Sequence, residues 1–103
     1  MGRLRQVGSS SRGWLLRRQT ILFRGVEELL ACMEGLLNDP GVLAIEMDLS
    51  KVEHMDPTSL GMLLVLREKA ELKGKAVVLF RPAACVTAIL ESVHFGKLFR
   101  IVG

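Results

Sequence analysis

Cysteine, proline and aromatic residues are scarce in this 103-residue chain, and tyrosine does not occur at all. The two cysteines, Cys32 and Cys85, form no C-x-x-C pair and lie in apolar surroundings. They read as reduced core thiols rather than as a disulfide framework or metal ligands. Three prolines and no low-complexity run argue against a linker or a disordered segment. No apolar run approaches the roughly eighteen residues of a membrane span, so direct membrane insertion is not expected. The basic start, Met1 to Ser11, leads into a polar turn rather than an apolar core and does not read as a secretory signal. Neither G-x-x-x-x-G-K-[ST] nor G-x-G-x-x-G is present, which removes the nucleotide fingerprints. His54 and His94 stand far apart, and no pattern ties them to Cys85 or Asp56, so neither a metal site nor a catalytic triad is expected. The expectation is a cytosolic, bacterial-type protein without cofactor or catalysis.

What the chain does have is apolar residues, half of the total, with 24% charged. That is enough for one globular domain over 1–103 with a real core, residues 1–12 being a variable strand and turn. The net charge of +3 is unevenly spread: Arg3, Arg5, Arg12, Arg17, Arg18 and Arg24 come before the first acid. Such a basic edge could meet nucleic acid, an anionic membrane or an acidic protein. Without aromatic interleaving or a recognition helix, no nucleic-acid partner is expected. Arginines that protect an exposed sheet edge from pairing are the plainer reading.

In chain order, 3–7 and 13–19 read as two short strands around a Gly-Ser turn, with 20–24 linking to a helix. Val26, Leu29, Leu30, Met33 and Leu37 recur at helical spacing, and Asp39-Pro40-Gly41 stops that helix. Residues 42–49 form an apolar inner strand whose C-terminal end, with Glu46 and Asp48, emerges into solvent. A second helix runs from Pro57 to Lys73 and ends at Gly74. Its core stripe is Met62, Leu63, Leu66 and Ala70, while Leu60 and Leu64 fall outside that stripe. They are covered by sheet and neighbouring helices, or they form an apolar partner face beside Thr58. A strand at 75–80, parallel to 42–49, a helix at 83–93 and a strand at 98–101 complete the order. Such an order predicts an α/β domain with a small mixed sheet of four to five strands, three or more helices and right-handed crossovers.

The start of the second helix is the best-specified point. Asp56 is a favoured N-cap, and Pro57 suits the first helical position while pushing Asp56 out of the α region. Thr58 and Ser59 then place two hydroxyls at the positive end of the helix dipole. In an open α/β sheet, functional loops follow strand C-termini, as the loop before Asp56 does.

The stretch from Ala44 to Gly61, AIEMDLSKVEHMDPTSLG, resembles the strand, loop and helix start of STAS domains in the anti-sigma factor antagonist family. Val86 to Ile101 is similar to that family's last helix and closing strand, and the resemblance extends over about 13–101. It implies a non-enzymatic switch that binds an anti-sigma factor, itself a Ser/Thr kinase, to control transcription, and that is released by phosphorylation. Asp56, Pro57, Leu60, Gly61 and Leu64 are then the motif and partner-binding residues. The family's phosphoacceptor follows the Asp, and here that position is Pro57, with Thr58 on the second hydroxyl position and Ser59 in place of a Gly. The resemblance therefore implies phosphorylation moved to Thr58 or Ser59, a binding module with no switch, or a role in another assembly such as a lipid-transport or stressosome-like complex. His94 also replaces a Gly common after the last helix.

Overall fold

A computed structural model describes residues 17–103, and over them the period-2 and period-3.6 patterns resolve into four strands and three helices. In order they are β1 (Arg18–Leu22), α1 (Val26–Asn38), β2 (Ala44–Asp48), α2 (Pro57–Leu72), β3 (Ala76–Phe80), α3 (Ala84–Ser92), a 3-10 turn at Phe95–Lys97 and β4 (Arg100–Val102). The sheet order is β1-β2-β3-β4, and every described pair is parallel. A mixed sheet needs an antiparallel member, and the strand expected at 3–7 lies outside the described residues.

An order that never reverses, joined by crossovers of one hand, leaves all helices on one face of the sheet. The core agrees. Leu29, Met33 and Leu37 of α1, Leu63, Leu66 and Ala70 of α2, and Val86 and Leu90 of α3 form one cluster with Ile45, Met47, Leu49 and Leu79. Ala44 and Val78 are equally buried but stand outside that cluster, on the opposite face.

Four expectations need correction. Of the strand expected at 13–19, residues 13–16 lie outside the described residues, and the described strand runs on to Leu22, so most of the segment taken as a linker is strand: Arg18 to Leu22 register against Ala44 to Asp48, and β-branched Thr20 and Ile21 suit the pleat. The closing strand begins at Arg100, because the 3-10 turn and a Phe95–Phe99 ring pair with centroids 5.2 Å apart occupy the approach to it. Leu30 is 49% exposed, since α1 packs on one side only. Cys85 is an exposed free thiol and Cys32 a half-buried one, so Cys85 is not in the core.

Glu46 and Asp48 also depart from the expected emergence into solvent, as all five residues of β2 are buried. They point away from the helices, where cross-strand cations hold them. Glu46 accepts from Arg18 at 3.1 Å and from the Thr20 hydroxyl at 2.9 Å, and Asp48 accepts from Arg81 at 3.2 Å. Elsewhere, buried Lys75 donates its ammonium to the carbonyls of Asp39 and Val42, pinning the α1–β2 turn beneath the start of β3.

Candidate functional site at the start of α2

The site is built from the loop that carries the chain out of β2 and into α2. Asp48 organises its first turn: Oδ1 accepts from the Ser50 amide at 2.9 Å while Oδ2 holds Arg81. These contacts hold its carboxyl below the usual range, the Ser50 amide contributing most and the Arg81 guanidinium less. Arg81 reaches Asp48 from a left-handed backbone at φ 54, its guanidinium 5.0 Å from the centre of the Phe80 ring. Val52 and Met55 are buried and anchor the loop to the core. The Leu49 amide donates to the Phe80 carbonyl at 2.8 Å, and the Cys85 thiol donates to the Glu53 carbonyl at 3.4 Å. Four residues of the D-L-S-x-V-x-x-M-D pattern, Asp48, Leu49, Val52 and Met55, are thus the fixings of this loop. Sequence reasoning assigned no role to Asp48 or Arg81, although an acid ending a buried strand was a signal for a partner cation.

The helix start is as expected. Asp56 has extended geometry (φ −88, ψ 168), Pro57 is the first helical residue, and Asp56 Oδ1 accepts from the Ser59 amide at 2.7 Å. That amide bond is the main reason the Asp56 carboxyl sits below its usual range, with His54 a minor contributor. Thr58 is exposed and Ser59 half-buried.

Along α2 the remaining motif residues divide by face. Leu60 is half-buried and packs on the core, which answers half of the question it raised with Leu64. Thr58, Gly61, Leu64 and Val65 recur at helical spacing on the outer side and are all exposed, Leu64 by 39% and Val65 by 37%. The structure therefore brings Thr58, Gly61 and Leu64 onto one accessible stripe and leaves Leu60 out of it. Val65 belongs to that stripe and was missed, because a lone Val next to Leu64 on a helix reads as ordinary periodicity.

Beside this stripe lies an open cleft of about 760 Å³ between the starts of α1 and α2. Arg24, Lys51 and His54 are set there against Glu27, Glu28 and Glu53, with Thr58 and Ser59 on the wall. With Asp56, which also lines the cleft, residues of both charge signs stand around it. No group of three or more His, Cys, Asp or Glu suited to a metal occurs among the described residues.

Gly61 has no explanation on fold grounds, a property it shares with Gly35 of α1. It sits inside a helix, where Gly is about 0.8–1 kcal/mol less favourable than Ala. A Cβ built on it meets nothing within 4 Å, so no contact within the protein asks for glycine. A bare, exposed helix backbone flanked by Leu64 and Val65 is a surface another chain can approach closely.

A family model described as "Mlab, STAS domain" matches residues 19–102.

Proposed function

The chain belongs to the STAS family, a family of regulatory and protein-interaction modules, and from that membership we propose that it is a non-enzymatic docking subunit that binds its protein partner through the outer face of α2. The observation that carries this is Gly61: a glycine with no role inside the fold, centred in an exposed apolar stripe of Thr58, Leu64 and Val65. Pro57 supplies the helix start and has no hydroxyl where the resembled family is phosphorylated. Docking is therefore constitutive, as in an adaptor subunit of a transport or stressosome-like complex, and indifferent to ATP. The partner recognises a helix N-terminus and a shallow apolar stripe, and the mixed charges of the neighbouring cleft set orientation more than affinity.

A second reading is favoured by the exposure of Thr58. Here the partner is an anti-sigma factor with kinase activity, binding frees a sigma factor, and the phospho-switch sits on Thr58, or on Ser59 beside it. A phosphoryl group adds about 1.5–2 negative charges. The dipole at the start of α2 accommodates that charge in the free protein, whereas a desolvated interface next to Asp56 does not. The fold survives and the complex fails.

Substitution of Gly61 tests the common core of both readings. Gly61→Ala stabilises the isolated domain by about 0.5–1 kcal/mol through helix propensity and weakens partner capture, an opposition that a purely structural glycine would not produce. Equal or stronger capture by Gly61→Ala would remove the α2 face from the interface.

A further inference from the structure

α1 and α2 run side by side in the same direction, since their starts line the cleft of about 760 Å³ and their last turns line a shallower one of about 320 Å³. Buried Met33 and Leu37 floor the second cleft, with Glu34 on the α1 rim and Lys69, Leu72 and Lys73 on the α2 rim. Leu72 is 83% exposed, and Leu30, one turn before Glu34 on the same side of α1, is 49% exposed. Val65, one turn before Lys69, continues the α2 rim and is exposed as well. Among the described residues, Glu34, Lys69 and Lys73 are in no ion pair. Apolar surface of this extent beside unpaired charge marks an interaction surface.

We propose that this groove is an isologous contact between two copies of the chain, related by a two-fold axis parallel to the helices, with α1 of one copy on α2 of the other. Charge argues for a second copy. Glu34 is the charged residue that α1 sends to the groove, and Lys69 and Lys73 are those that α2 sends, so the groove has one rim of each sign and the two-fold lays each rim on its opposite. Spacing agrees. A two-fold along the helices keeps every residue at its level, so Glu34, which shares a level with Lys69 in the cleft, meets Lys69 of the second copy. Leu30 and Val65 each stand four residues, about 6 Å, before that level, and Leu37 and Leu72 each stand three residues, about 4.5 Å, after it. Leu30 therefore meets Val65, and Leu72 reaches the Leu37 floor, in the same register that pairs the charges. Each contact occurs twice. An interface of this size is weak and depends on concentration. It goes beyond the docking reading, with which it shares Val65, and its test needs no partner.

Sedimentation velocity of the full chain from micromolar to millimolar concentration should show one chain giving way to two. Leu72→Glu should hold the protein monomeric over that range. Glu34→Lys and Lys69→Glu each set like charges across the contact twice, and each should raise the concentration of half-association about tenfold. An equimolar mixture of those two variants should associate as wild type does, because each copy then offers the charge the other lacks. All three positions are exposed, so circular dichroism should match wild type throughout. A wild type that stays monomeric would overturn the proposal. So would association unchanged in Leu72→Glu, which places the contact elsewhere, or charge reversals that change nothing alone or are not rescued by mixing, which removes the register.

Discussion

Asp56 fixes the start of α2 by accepting from the Ser59 amide at 2.7 Å, and that one bond satisfies a donor the helix cannot satisfy itself. Asp56→Ala should therefore lower unfolding stability by about 1 kcal/mol, read from urea midpoints at unchanged slope. His94 presents the opposite case. It is held at φ 61, the left-handed region that glycine adopts without steric cost. The strain is about 1–2 kcal/mol for a residue with a Cβ, and the added freedom of glycine in the unfolded chain offsets part of the relief. His94→Gly should raise stability by about 0.5–1 kcal/mol, visible as a higher thermal midpoint. Arg81 has the same backbone sign but also holds Asp48 and stacks on Phe80, so its strain is spent on ordering the β2–α2 loop.

Among the elements, α2 and its loop were the most legible from sequence because local chemistry specifies them. An N-cap, a proline at the first turn and a terminal glycine act on neighbouring backbone regardless of the rest of the fold. β1 and β4 were misplaced by a few residues because short edge strands take their limits from a partner. Thr20 belongs to β1 owing to Glu46 across the sheet, and Phe99 stays out of β4 owing to Phe95. The burial of Glu46 and Asp48 was illegible for the same reason, since their cations lie 28 and 33 residues away. In the site, Asp56, Thr58 and Leu64 could be named from capping chemistry and helical spacing, and Gly61 from the resemblance. Their division from Leu60 required knowing which side of α2 meets the sheet. Lys75 links two elements in a way no local pattern reveals. Lys75→Ala removes the ammonium from the Val42 carbonyl and leaves the Asp39 carbonyl with the Val42 amide alone. It should cost about 1–3 kcal/mol, with hydrogen exchange rising first in the α1–β2 turn.

For the whole molecule, the two lowered carboxyls set the acid response. Asp48 and Asp56 both titrate lower in the folded protein than in the unfolded chain. Their contribution is complete above the ordinary aspartate pKa of about 3.9 and is lost as pH falls through the folded values. Denaturant stability should hold near neutrality and decline below about pH 4, with a shallower decline in Asp48→Asn. No helix among the described residues is long and apolar enough to cross a membrane.

The most direct test of constitutive docking on α2 is the affinity of the purified protein for its partner, measured with and without ATP for wild type, Thr58→Glu and Leu64→Asp. The account predicts tight wild-type binding unaffected by ATP, no phosphate on Thr58 or Ser59 by peptide mass spectrometry, and loss of binding in Leu64→Asp with the fold intact. Wild-type affinity undiminished in Leu64→Asp would contradict docking on this face. ATP-dependent release with phosphate on Thr58 would contradict constitutive docking and return the protein to the switch.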